Sequence, residues 1–410
     1  MMALRSGLAA VAVWLLPIAN AQSGSSQEVA PATYCWDGRG LLENRRKGLA
    51  NDPSLAAAIA KLRRTADRVL DEKLRAVTDK NFISPSGDQH DYVSLAPYFW
   101  PNPNTANGLP YVLRDGETNP ENLQYDTSRL RAMSDNVRTL ALAYYLTGES
   151  RYADRAARQL RCWFLDQDTR MNPQLKYARL IKGMNQGSHW GIIDTAMFIW
   201  VVEADALLQG APAWPAGDHR RLQKWFADYL AWLRTSDLGK QEANAPNNQG
   251  CYYDWQVADF ALFTGQRRLA SEVLEKAKLK RIAQQIEPDG TQPQELARAK
   301  SYDYTLVNLT ALFGLASVGD HAGVDLWNYR TLDGRSLRGA LDWMIPFTTG
   351  AKIWTHRQIT PHPSNSKMVS LLRQATIAWQ EPAYEKMIAS LTGVTDDILW
   401  VDLVHPLPKS

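Results

Sequence analysis

Leu130-Arg131-Ala132-Met133-Ser134-Asp135-Asn136-Val137-Arg138-Thr139-Leu140-Ala141-Leu142-Ala143-Tyr144 is the stretch whose reading decides the fold. Its apolar residues Leu130, Met133, Val137, Leu140, Ala141 and Tyr144 recur every three or four positions, the spacing of one helix face, where a half-buried strand would alternate. Ile193, Ala196, Met197, Trp200, Val201, Ala204 and Leu208 repeat the pattern. Similar stripes fall near 54–76, 151–164, 217–234, 252–263, 267–286, 302–317, 335–344 and 368–391, separated by clusters of Gly, Pro, Asn and Asp. Segments of alternating period are scarce. Successive helices with no heptads and no fixed repeat pack either as a solenoid or as a closed ring of helical hairpins. The long irregular stretch from Asp91 to Asn122 favours the ring. It holds Tyr92, Tyr98, Phe99, Trp100, Tyr111 and Arg114, and loops of that length in a compact chain are uncommon unless they line a site.

The N-terminus reads as a secretory signal over residues 1–21: Arg5, an apolar run from Leu8 to Ile18, then Ala19-Asn20-Ala21 as a cleavage site. The run is too short to span a bilayer, and no later stretch approaches the ~20 apolar residues of a membrane helix. The expectation is a periplasmic or secreted protein that does not engage a membrane. The remaining chain, 22–410, exceeds the ~250 residues at which one core usually stops growing, so it forms two domains or one large closed architecture.

With 46 basic and 43 acidic residues the net charge is +3. That balance argues against bulk nucleic-acid binding and makes any attraction for a polyanion local. Cys35, Cys162 and Cys251 allow at most one disulfide, and their spacing fits no zinc site. No His/Asp/Glu cluster has ligand spacing, so neither metal nor cofactor is expected. Among the 15 tryptophans, Trp163, Trp200 and Trp225 lie on apolar helix faces and are read as core. Trp100 and Trp190 lie in loops punctuated by Pro or Gly and suit the face of a sugar.

Four polar segments sit at loop-to-helix junctions, where side chains and free backbone N–H groups can meet an anion. They are Asp91-Tyr92-Val93-Ser94-Leu95-Ala96-Pro97-Tyr98-Phe99-Trp100-Pro101, Ser188-His189-Trp190-Gly191-Ile192-Ile193-Asp194-Thr195, Asn247-Asn248-Gln249-Gly250-Cys251-Tyr252-Tyr253-Asp254, and Gln294-Glu295-Leu296-Ala297-Arg298-Ala299-Lys300-Ser301-Tyr302-Asp303-Tyr304 running on to Asn308.

Together these segments resemble the alginate-lyase superfamily, most closely polysaccharide lyase family 38, which includes alginate and glucuronan lyases. The resemblance spans roughly residues 90 to 345. It implies an all-α fold, an (α/α) toroid of helical hairpins forming an incomplete or closed barrel, as one large domain with an irregular cleft-lining loop at about 85–125. It also implies cleavage of a 1,4-linked uronic-acid polymer by β-elimination. That reaction needs the uronate carboxylate neutralised, a base for the C5 proton and an acid for the leaving oxygen.

Asn248 and Gln249, with Arg298 as the guanidinium, fit the first task, and Asn247 is a weaker candidate, because amide and guanidinium donors bind more strongly as charge builds in an enolate-like transition state. The resemblance places the catalytic tyrosine at Tyr304, returning to the leaving oxygen the proton it takes. A tyrosine with a pKa near 10 needs a cation to favour its phenolate, and Arg298 is positioned in sequence to supply it. Spacing leaves the tyrosine open, since on a continuous helix Tyr302, at i+4, would share the face of Arg298 and Tyr304 would not. Gln249 stands where these enzymes usually carry histidine. Glutamine can donate but cannot titrate, which makes His189 the substitute to consider. Asn308, one turn after Tyr304, orients the tyrosine or satisfies a backbone group. Trp190, Tyr98, Trp100, Arg114, Asn172 and Tyr302 complete the substrate-contact candidates. Two other functions compete: a toroidal glycoside hydrolase using Asp194 and Asp254 as its carboxylate pair, and a uronan-binding protein that lost catalysis when Gln249 appeared. Oligomeric state cannot be read from the sequence.

Overall fold

The structure is a computed structural model that describes residues 28–361 and 364–408. The signal at 1–21 therefore lies outside the described residues. Helices dominate: α1 (Gly38–Leu49), α2 (Ala56–Leu70), α3 (Asp126–Thr147), α4 (Ser150–Leu160), α5 (Ile199–Leu208), α6 (Ala216–Thr235), α7 (Asp237–Ala243), α8 (Asn248–Phe263), α9 (Arg267–Ala277), the short α10 (Ala283–Gln285) and α11 (Pro293–Leu296), α12 (Ser301–Ala322), α13 (Leu337–Thr348), α14 (Ser366–Trp379), α15 (Pro382–Ile388) and α16 (Thr395–Val404).

Their packing order closes on itself. Contacts run from α3 to α5, α8, α12, α14 and α16, and from α16 through α1 and α2 back to α3. The remaining helices back this ring: α4 lies on α3, α9 on α8 and α12, and α15 on α14. An inner helix must be apolar on nearly every side and an outer one only on a stripe. Accordingly α8 is buried almost throughout from Gly250 to Phe263, whereas α4 buries Tyr152, Ala153, Ala156, Ala157 and Leu160 and exposes its charges. One continuous hydrophobic cluster follows the ring from Cys35 to Val404 and includes Trp163, Trp225 and, at its edge, Trp200. The architecture is the all-α toroid that the sequence patterns imply.

Four of the described helices, α1, α7, the short α11 and α16, carry no stripe that the sequence reading recognised. Elsewhere the stripes break inside a single pattern. The one beginning at Ile193 starts as a 3₁₀ helix, His189–Phe198, before α5 takes over. Gly191 there lies so close to the preceding strand that a Cβ would come within 2.3 Å of the Ala178 Cβ. The stripe over 368–391 divides at Gln380, whose φ of 52° is left-handed, just ahead of Pro382.

Strands are few but placed where they matter. β1 (Val93–Leu95) pairs in parallel with β4 (Tyr177–Leu180), and β2 (Phe99–Trp100) pairs antiparallel with β3 (Val112–Leu113). A second, smaller cluster of Val93, Leu95, Ala96, Tyr111, Tyr125, Tyr177 and Ile181 lies under them. The long aromatic loop is thus an ordered cap with its own core. The three cysteines are buried and unbridged, so the one disulfide that the count permitted does not form.

Candidate active site

A cleft of about 460 Å³ opens between this cap and one end of the ring. The cap supplies Ala96 to Phe99, Leu113 and Asp115; the ring supplies Gln249 from α8 and Tyr304 from α12. Arg179, His189, Trp190, Asn247 and Arg298, all from connecting segments or short elements, complete the polar and aromatic wall.

Arg298 and Tyr304 do not share a helix. α11 ends at Leu296 and α12 begins at Ser301, and the intervening turn folds Arg298 back so that its guanidinium carbon lies 3.8 Å from the centre of the Tyr304 ring. Asp115 fixes it there through Nη2 to Oδ1 at 2.6 Å and Nε to Oδ2 at 3.2 Å, and accepts the Ala299 N–H at 2.9 Å. The Tyr304 hydroxyl donates to the Tyr98 hydroxyl at 2.7 Å. Burial, with Tyr98 adding to it, pushes the Tyr304 phenol well above its usual value, and the opposing pull of Arg298 does not overcome this. The expectation that Arg298 by itself favours the phenolate therefore needs correction. Its charge is already shared with Asp115, and burial favours the neutral phenol over the phenolate.

The start of α8 is more committed than the sequence suggests. Asn247 caps it, its Oδ1 accepting the Gln249 N–H at 3.2 Å. Asn248 is buried, giving its backbone N–H and its Nδ2 to the two oxygens of Glu295 at 2.7 and 2.8 Å. These N–H groups are consequently not free for an anion, and the Asn248 side chain does not reach the cleft wall. Gln249 does reach it, with its Oε1 buried and unpartnered. Burial raises the Glu295 carboxyl to about 7 against the lowering effect of the Asn248 bonds.

His189 and Trp190 line the same cleft. His189 Nδ1 lies 2.7 Å from Oε2 of the fully buried Glu242, a contact that fixes the ring and directs its proton. Burial raises the Glu242 carboxyl, and His189 partly counters this. Trp190 is 38% exposed and stacked on Phe99, with ring centroids 6.3 Å apart and planes 22° from parallel. This is a flat apolar shelf of the kind that sugar rings cover.

Asp115, Arg179 and Glu242 were missed from sequence. Each becomes relevant only through a partner far along the chain, and no local pattern marks them.

Several candidates lie elsewhere. The Tyr302 hydroxyl donates to Asn365 at 2.5 Å and its ring packs edge-on to Trp354. Asn308 is buried, and its Nδ2 contacts Gln285 and Gln292 at 3.2 and 2.9 Å, so it orients these glutamines and not Tyr304. Trp100 and Arg114 stack on each other at 5.1 Å, and the Arg114 N–H donates to the Tyr98 carbonyl, so they brace the cap behind the cleft. Asn172 binds Asp88 and Asp91 and faces a separate groove.

The proposed hydrolase pair is not a pair. Asp194 is held by Arg179 Nε at 2.9 Å, and Asp254 by Arg281 Nε at 2.6 Å. Neither carboxylate lines the cleft. Among the described residues one cluster with metal-ligand chemistry appears, the buried Cys35, Glu203 and Asp259. None of the three borders the cleft, and Glu203 already accepts the N–H groups of Tyr34, Cys35 and Trp36.

The chain matches the family model described as Alginate lyase over residues 76–354. Among solved structures it is similar to an alginate lyase from Bacteroides ovatus, with 35% identity, coverage of 93% of this chain and 100% of that one, and a TM-score of 0.87. It shares its fold with alginate lyase A1-III from Sphingomonas species A1, at 16% identity, coverage of 85% and 95%, and a TM-score of 0.53. A complex of A1-III with a tetrasaccharide aligns at 15% identity over 93% and 98%, with a TM-score of 0.59. No curated protein matches. A family match over most of the chain, and a 35% identical relative spanning nearly all of it, lead to one conclusion: the chain belongs to the alginate lyase family and is a polysaccharide lyase.

Proposed function

We propose that the chain cleaves an alginate-type 1,4-linked polyuronate by β-elimination, with glucuronan as the second substrate class, and that Tyr304 handles the proton. The observation that carries this reading is the Tyr304 phenol in the cleft, with a guanidinium on its ring and the Gln249 amide and His189 lining the same cleft. The base removes the C5 proton, the C–H electron pair forms the C4–C5 double bond, and the C4–O bond breaks as Tyr304 protonates the departing oxygen. Gln249 and Asn247 contact the carboxylate side of the sugar, and Trp190 with Phe99 supports a ring beside it.

A second reading concerns the base. A phenol held neutral by burial keeps its proton for the leaving oxygen, and His189, oriented by Glu242, can take the C5 proton in its place. The two arrangements separate in a pH profile. With Tyr304 as base, the rate climbs with pH through the neutral and mildly alkaline range, following the small phenolate fraction; with His189 as base, the rate does not follow that fraction.

The polymer is identified by incubating the purified protein with polymannuronate, polyguluronate, glucuronan and hyaluronan and following absorbance of the conjugated double bond in the ultraviolet. Absence of unsaturated ends on all four would sink the proposal. We infer from residues 1–21 that the protein is exported to the periplasm or beyond, where such polymers occur. Detection of the full-length, uncleaved chain in the cytoplasm of its host would overturn that. No helix among the described residues is long and apolar enough to cross a membrane.

A further inference from the structure

Arg179 sits at a fault in the small parallel sheet. Val93 pairs with Tyr177, but Leu95 pairs with Leu180, so β4 accommodates an extra residue between the two rungs. Arg179 lies within that interval with φ at 48°, in the left-handed region that side chains other than Gly, Asn and Asp rarely adopt. Bulges of this kind turn a side chain out of its strand register, and strained backbone persists where its surroundings over-determine it. Here the surroundings do so. The Arg179 N–H donates to Ser94 Oγ at 2.8 Å, and its carbonyl accepts Ser188 Oγ at 3.1 Å. Asp194 then gathers Arg179 Nε, Ser94 Oγ and the Tyr92 hydroxyl at 2.9, 2.7 and 3.2 Å.

The result is a guanidinium anchored by one nitrogen. Neither terminal nitrogen of Arg179 has a hydrogen-bond partner among the described residues, although the side chain is only 20% exposed and lines the cleft with Tyr304, Gln249 and His189. Arg298 differs: two of its nitrogens are bound to Asp115 and its plane is spent on the Tyr304 ring. Asn248 is bound to Glu295. A planar fork with both terminal nitrogens free in a largely desolvated wall is suited to a carboxylate, which it can hold through two parallel bonds.

We propose that Arg179 is a further catalytic residue, the cation that binds the C5 carboxylate of the uronate at the cleavage point and takes up the charge that develops there. Asp194 is its positioning residue. This assignment rests on the reading of the cleft as a uronan lyase site. No bond is made or broken at the guanidinium. Its contribution is electrostatic, and it supplies the full charge that the neutral Gln249 cannot.

The test measures turnover of polymannuronate and glucuronan by wild type, R179Q, R179K and R179A, with thermal unfolding followed by circular dichroism. R179Q should lose about a hundredfold or more in kcat, R179K should lose less, and added guanidinium should restore part of the activity of R179A but none to Y304F. R179Q activity within about threefold of wild type overturns the inference and leaves the lyase reading intact. So does an R179A loss that guanidinium does not relieve, which would assign Arg179 to holding the cap. A wild type that forms no unsaturated product overturns the lyase reading itself.

Discussion

The guanidinium carbon of Arg298 lies 3.8 Å from the centre of the Tyr304 ring, although they stand six positions apart and no helix joins them. The contact exists because the helices break between Leu296 and Ser301, and it exists alongside a half-buried ion pair to Asp115. Cation–ring contacts contribute about 0.5–2 kcal/mol, enough to orient both groups but not to ionise a phenol that burial holds neutral.

Tyr304→Phe should therefore abolish turnover with little change in thermal stability. Only the hydroxyl is lost, and its one hydrogen-bond partner among the described residues, Tyr98, borders the open cleft. Tyr302→Phe should keep most activity, since the Tyr302 hydroxyl serves Asn365. Initial rates of double-bond formation for the two variants decide it. Activity in Tyr304→Phe beside a dead Tyr302→Phe would reverse the assignment.

Gln249→Ala should lower kcat by about a hundredfold or more with a modest change in KM, as expected of a donor that strengthens while charge develops. Gln249→His should stay active and acquire a pH dependence near the imidazole pKa of ~6.5 at this position. Steady-state kinetics on the best polymer, with wild-type behaviour of Gln249→Ala as the opposing result, settle whether this residue touches the substrate.

Glu242→Gln removes the carboxylate that fixes the His189 ring at 2.7 Å. If His189 is the base, Glu242→Gln and His189→Ala should both reduce kcat and alter the pH–rate profile. Unchanged profiles in both variants would return the base to Tyr304 and leave His189 as a contact residue.

Glu295 makes stability depend on pH. Burial raises its folded-state pKa to about 7, above the ordinary glutamate value. Between the two values the folded chain holds a proton that the unfolded chain has lost, so stability falls as pH rises through that window and levels off above it. The swing is on the order of 3 kcal/mol, taken as an upper figure. Melting temperatures of wild type and Glu295→Gln at pH 5 and pH 7.5 should differ in slope, the variant being flatter. Parallel slopes would show that Glu295 does not titrate in this window.

The stripes at three- and four-residue spacing determined a good deal by themselves. They fixed an all-helical chain, the position of most inner helices, and Trp163 and Trp225 as core, because a helix that faces a core must write that face into its local sequence. The four polar segments, and the family resemblance they carry, let Gln249, His189, Trp190, Tyr98, Arg298 and Tyr304 be named as a group, and all six border the cleft. Tertiary structure decided what spacing could not. Whether Tyr302 or Tyr304 meets Arg298 depends on a helix break at 297–300, and Asn248 is lost to the cleft because Glu295, 47 positions along the chain, claims its amide. Arg179 is aimed by a sheet fault against Val93 and Leu95 and by Asp194, and Asp115 and Glu242 act only through Arg298 and His189. Periodicity reports which face of an element is buried. The partner of a polar side chain is set by how the ring closes, and that information is not local.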